Sequence, residues 1–162
     1  MPPADTQAQR HWDEVYSGAE IEQTGWYEEE PTLSLALIDG CHLEPDAPIL
    51  DVGAGASSLV DRLLDRGFRD VTVLDISAHA LDHMRTRLGP EHSASIRFIR
   101  ADVTDPELPE QLGTIELWHD RATLHFLIED DQCDRYAAAL HAAVAPGGYA
   151  LLATYALHGA ST

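Results

Sequence analysis

The alternation of short apolar runs with amphipathic helical segments constrains this chain more than any other feature of its sequence. ILDV (49–52) is a nearly continuous apolar run, as expected of a strand buried on both faces. It turns through Gly53-Ala54-Gly55 into SLVDRLLDRG, where Leu59, Val60, Leu63 and Leu64 share one helical face and Gly67 supplies the stop. VTVLD (71–75) repeats the strand pattern, and Ser77 caps the helix AHALDHMRTRLG, which ends at Gly89. The series continues with IRFIRAD (96–102), a proline-broken loop, and IELWHD (115–120). It closes with the helix EDDQCDRYAAALHAAVA, the breaker Pro146-Gly147-Gly148 and YALLATYA. Ahead of it, Pro31 opens the helical stretch TLSLALIDG and Gly40 ends it. Strands and helices alternating at this spacing pair in parallel through right-handed crossovers. The expected fold class is therefore α/β: a doubly wound, mostly parallel, Rossmann-like sheet.

A length of 162 residues fits one domain, with residues 1–45 as an N-terminal helical or lid segment and 46–162 as the ligand-binding core. Ten Lys+Arg face 28 Asp+Glu, a formal charge of −18, and every one of the ten is Arg. A field of that sign repels phosphate backbones and anionic membranes, so no nucleic-acid or membrane partner is expected. Solubility or a salt-rich habitat accounts for the acidity more simply than a cationic partner does. Cys41 and Cys133 stand alone, without CxxC spacing, and read as thiols in a reducing compartment. With no apolar leader or span-length segment, the expected location is cytoplasmic.

In a doubly wound sheet, ligands bind beyond the carboxyl ends of strands, where the strand order reverses. The first strand ends in Asp51-Val52 and turns through Gly53-Ala54-Gly55 at such a place. Glycine there admits positive φ and lets a ligand approach bare backbone. Asp75 lies 20 residues beyond Gly55 at the end of the second strand, where a carboxylate can accept from both hydroxyls of a ribose. A dinucleotide fingerprint would place glycine where Ser58 stands, which counts against NAD. A P-loop is excluded, because there is no GK[ST] and no Lys at all.

Taken in order over residues 45–155, DVGAGAS, VTVLDIS, IRADV, WHDRA and APGGYALLATY resemble the class I S-adenosylmethionine-dependent methyltransferases. HWDEVY, WYEEEP and WHDRATLHFL make the chain similar to a bacterial subgroup of small-molecule or unassigned substrate range. The resemblance implies a methyl transfer from S-adenosylmethionine to a small-molecule acceptor. It implies that Asp51, Gly53, Ala54, Gly55 and Ser58 border the methionine part, and that Asp75 holds the ribose. Ile76 would pack on the adenine, Asp102 would accept from its amino group, and the Val103 amide would meet the ring. His119 and Asp120 would lie by the methyl group, and Trp12 or Trp26 would close over the donor. Ser57 stands where the common motif has its third glycine, a departure that leaves the acid positions intact.

Methyl transfer from a sulfonium asks chiefly for in-line approach with water kept out, and for a proton acceptor when the nucleophile is an oxygen or an amine. Asp120, then His119 and His125, are the catalytic candidates; Asp120 could equally cap the turn after strand four or pair with Arg121. No metal is expected, since adjacent His119 and Asp120 point apart on a strand and an activated donor needs no Lewis acid. His79 and His83 share a helix face without a third ligand, and read as solvated. Acids crowd the opening segment, which favours a neutral or cationic acceptor.

The resemblance also implies a helix and a final antiparallel pair after YALLATYA. The chain is expected to be incomplete at its C-terminal end, or a second copy in a homodimer covers the strand-five edge. Three other readings remain open: a protein-lysine methyltransferase, a non-catalytic S-adenosylmethionine-binding module, and an NAD-dependent oxidoreductase.

Overall fold

The computed structural model describes residues 6–18, 28–55, 57–121 and 123–154. Trp26 lies outside them. Five strands form one sheet in the order β3-β2-β1-β4-β5: β1 (Ile49–Val52), β2 (Val71–Asp75), β3 (Ile96–Arg100), β4 (Ile115–Arg121) and β5 (Val144–Ala153). All four pairings are parallel. The order reverses at β1, which pairs with β2 on one side and β4 on the other, so the Gly53-Ala54-Gly55 turn sits at the topological switch point.

Because side chains alternate across a strand, each strand feeds two cores. On one face, α2 (Thr32–Gly40), α3 (Leu59–Asp65) and α4 (Ala78–Ser93) pack Leu35, Ile38, Leu59, Leu63, Leu81 and Met84 against Ile49, Val73 and Leu117. On the other, α5 (Leu108–Leu112) and α6 (Asp130–Ala143) bring Leu108, Leu112, Tyr136 and Ala139 to Leu50, Val52, Leu74 and Trp118. These buried apolar side chains hold the sheet, at roughly 25 cal/mol per Å² removed from water.

The strands and helices differ from the sequence expectation mainly at their ends. The helix opened by Ser77 passes Gly89, where φ is 73°, and resumes from Pro90 to Ser93; proline fits the first turn of such a restart. The loop before β4 holds the five-residue helix α5. Helix α6 stops at Ala143, and β5 begins there, running through Pro146-Gly147-Gly148 with a register shift opposite Ile115 and Leu117. Gly147 takes φ 83°, the backbone such an irregularity needs. β5 is an edge strand, with Tyr149 and Leu152 exposed. The opening segment carries helix α1 (Gln7–Gly18), which contains no buried residue.

Candidate active site

The glycine turn is built as the sequence requires. Gly53 and Gly55 have φ of 59° and 53°, the left-handed region that side chains resist. The Gly53 and Ala54 amides donate to the Leu74 carbonyl at 2.8 and 3.2 Å, which ties the turn to the end of β2. A Cβ at Gly53 would run into the Thr123 hydroxyl, and one at Gly55 into the Tyr16 hydroxyl. Two hydroxyls thus press against bare backbone.

Asp75 is 5% exposed at the end of β2. One carboxylate oxygen accepts from the Gly55 amide at 2.7 Å and the other from the Ser77 amide at 2.8 Å. Each oxygen keeps a further lone pair, so capacity for two more donors remains. Burial, opposed by these amides, pushes its pKa up to about 6.

Beside it lies a cavity of about 170 Å³, whose wall includes Gly53, Asp75, Ile76, Asp102, Val103 and Trp12. Six of the twelve cofactor-contact candidates thus line one cavity, while Asp51, Gly55 and His119 do not border it. Asp102 accepts from the Thr104 amide and hydroxyl through a single oxygen, at 2.8 and 2.7 Å. Trp12 reaches the wall from α1 and meets the Phe126 ring edge-on, 4.8 Å between centroids. Ala54 and Ser58 do not line this wall: Ala54 is buried in the core, and the Ser58 hydroxyl donates to the Glu28 and Glu29 carbonyls at 2.9 Å.

His119 and Asp120 point to opposite faces of β4, as adjacent strand residues must. His119 turns to the α2–α4 face, 4% exposed. Its Nδ1 lies 2.8 Å from Asp51 Oδ1 and its Nε2 lies 2.9 Å from Ser34 Oγ. A carboxylate only accepts, so Nδ1 carries the proton that faces Asp51. Asp51 and His119 sit side by side in the β1–β4 register, and Ser34 reaches them from the buried face of α2. Asp51 Oδ2 is buried without a hydrogen-bond partner among the described residues.

Asp120 turns to the α6 face, 1% exposed. Its oxygens accept from the Thr123 amide at 2.8 Å and the Tyr136 hydroxyl at 2.6 Å. Trp118 Nε1 donates to that hydroxyl in turn, at 3.0 Å. Burial raises the pKa of Asp120; burial and the Asp120 charge raise that of Tyr136. The carboxylate is spent on structure and does not border the cavity wall. It acts by holding Thr123, whose hydroxyl lies against Gly53. Nor does it pair with Arg121, which reaches Glu28 at 3.1 Å. Tyr136→Phe should cost about 2 kcal/mol in urea unfolding, because it leaves a buried carboxylate oxygen without its donor.

His125 sits in the 3₁₀ turn Leu124–Phe126 after β4, its ring centroid 4.2 Å from that of Phe126. Among the polar wall residues, Arg121, Thr123 and Gln132 were not singled out by the sequence reading as site residues. For Arg121 and Thr123 the signal was their place just after a strand that ends at the switch point; for Gln132, on another helix, the sequence offered none.

Among the described residues, no helix is long and apolar enough to cross a membrane, and no group of three or more His, Cys, Asp or Glu side chains converges as a metal site.

Residues 49–148 match the family model described as a methyltransferase domain. The chain is similar to the eEF1A lysine and N-terminal methyltransferase homolog of Drosophila melanogaster, with 32% identity over 124 residues, 75% of this chain and 17% of that protein. Its fold is similar to a structure solved in work on the conversion of a disulfide bond into a thioacetal group during echinomycin biosynthesis. That likeness has a TM-score of 0.73 at 26% identity and covers 90% of this chain and 59% of that one. A glycopeptide N-methyltransferase, MtfA, complexed with S-adenosyl-L-methionine, shares the fold with a TM-score of 0.56 at 23% identity, over 74% of this chain and 52% of that one. The chain thus spans only a small part of the curated relative it matches.

Proposed function

This chain belongs to the methyltransferase domain family, and on that premise we propose that it transfers a methyl group from S-adenosylmethionine to a small-molecule acceptor. The enzyme class and the donor expected from the motif set agree with that family.

The residues present fit the donor. Two acids at strand ends, Asp75 and Asp102, suit hydroxyl and amino donors, and Ile76 and Val103 on the same wall suit a flat ring. At Gly53 and Gly55 the close approach that glycine allows is taken by the Thr123 and Tyr16 hydroxyls, and the orphaned Asp51 Oδ2 suits an ammonium. When bound, S-adenosylmethionine supplies a methyl group activated by its sulfonium. Asp75 would hold the ribose and Asp102 the adenine edge. His119 would keep Asp51 oriented, and Asp120 would set Thr123 against the glycine turn. Trp12 and Tyr16 would keep water from the reacting edge. Like Asp120, His125 on the turn after β4 does not line the cavity wall, and no side chain there is assigned as the proton acceptor.

The observation that carries this reading is Asp75 and Asp102 on one cavity wall beside the glycine turn. The small-molecule acceptor is supported by the likeness to the protein of echinomycin biosynthesis. A protein lysine or amino-terminal acceptor is the second reading, favoured by the curated relative and by the acidity of the chain. Methyl-labelled S-adenosylmethionine given to the protein with a fractionated lysate tests both. Label in the small-molecule fraction is expected; label confined to protein would establish the second reading. Silence in both fractions, with donor binding retained, would leave a non-catalytic binding module.

A further inference from the structure

Helix α1 buries none of its residues, so the apolar core does not explain its position over the cavity. Asp13 does. Its carboxylate is 17% exposed. Oδ1 accepts from the Ser77 hydroxyl at 2.6 Å and the His79 amide at 3.3 Å, and Oδ2 pairs with Arg100 Nη2 at 3.2 Å. These partners are not scattered surface groups. The Ser77 amide donates to Asp75 and Arg100 Nε donates to the Ile76 carbonyl. Asp13 is thereby fastened to Asp75-Ile76-Ser77, the segment read above as holding the adenosine.

The same helix spans the cavity mouth. One turn after Asp13, the Tyr16 hydroxyl lies against Gly55, whose amide donates to the other oxygen of Asp75. One residue before it, Trp12 meets Phe126 on the turn after β4. Hydrogen bonds from Ser77 and His79 and the charge of Arg100 outweigh burial and hold the Asp13 carboxyl below its usual range, so it is ionised and a strong acceptor at neutral pH.

We propose that Asp13 is a positioning residue for the methyl donor, latching α1 over the cavity through Ser77 and Arg100 and so setting how slowly a bound donor leaves. The latch rests on the reading of the cavity as the donor site. An element without buried residues opens at low free-energy cost, so removal of the Asp13 bonds should act on the lid before it acts on the fold. A closed lid retards escape more than entry, because affinity differences within one site fall mostly on the dissociation rate.

The test uses S-adenosylhomocysteine and tryptophan fluorescence in stopped flow, on wild type, Asp13→Asn, Asp13→Ala and Arg100→Ala. Asp13→Ala should release the ligand about tenfold faster, with the association rate changed no more than about threefold. Asp13→Asn keeps an acceptor for Ser77 and should fall between. The ligand-free melting temperature should stay near that of the wild type. Unchanged release in Asp13→Ala overturns the latch, as does a loss of ligand-free stability that matches the loss of affinity. If the wild type binds no S-adenosylhomocysteine, the donor reading falls by itself. Hydrogen exchange of the α1 amides in the same ligand-free variants still decides whether Asp13 holds the helix: faster exchange supports it and unchanged exchange refutes it.

Discussion

His119→Ala is expected to destabilise the protein by about 3 kcal/mol, the order for leaving a buried carboxylate without its hydrogen-bond donor. His119 is the partner that Asp51 Oδ1 has, at 2.8 Å, and Oδ2 already lacks one. The variant would leave a carboxylate 2% exposed with neither oxygen satisfied, and would also strand the Ser34 hydroxyl. Urea unfolding measures the loss. The double variant Asp51→Leu/His119→Leu should recover much of it, since replacing both partners by apolar groups removes the unpaired charge. A cost below about 1 kcal/mol for His119→Ala would mean that the network does not hold the switch point. The recovered stability should not come with donor binding, because Asp51 is read as an acceptor for the donor's ammonium.

The second large effect concerns pH. Burial raises the folded-state pKa of Asp75 from 3.8 to about 6, while in the unfolded chain it returns to the usual value. The native state therefore holds its proton more tightly than the unfolded state between these limits. The contribution to stability is full below about pH 4 and is lost as pH rises through about 6, a change on the order of 3 kcal/mol. Asp75→Asn cannot ionise. Its stability relative to wild type should improve by that order from pH 4 to pH 7, in the ligand-free protein. Asp120, also raised by burial, titrates in both proteins and cancels in the comparison. A difference that does not vary with pH would contradict the burial of an ionised Asp75.

Residues read from local pattern agree best with the structure. β1 and β2 run over 49–52 and 71–75 as expected, because a doubly buried parallel strand writes itself as a continuous apolar run. Ser77 caps α4 as expected, accepting from the Ala80 amide at 3.2 Å. Where partners come from elsewhere in the chain, the pattern falls short. Asp120 stands at the end of β4, a place where a carboxylate serves chemistry as readily as structure, and its partner Tyr136 lies on α6. His119 is held by Ser34, 85 residues away. Nothing local to WHDRA distinguishes these buried, satisfied side chains from reactive ones. Helix α1 was legible only as a polar segment with aromatics, because its docking depends on Asp13 finding Ser77 and Arg100, 64 and 87 residues on. The start of β5 at Val144 was hidden by Pro146 and the two glycines after it, whose irregular register with β4 has no apolar signature.

Calorimetric titration with S-adenosylhomocysteine of wild type and Asp75→Ala, both checked for intact fold by circular dichroism, tests the assignment most directly. The wild type should bind one equivalent, and the variant should bind about 100-fold more weakly, as expected from losing two charge-assisted hydrogen bonds. Equal affinity in the two proteins would show that Asp75 does not hold the donor, and the account of this site would be wrong.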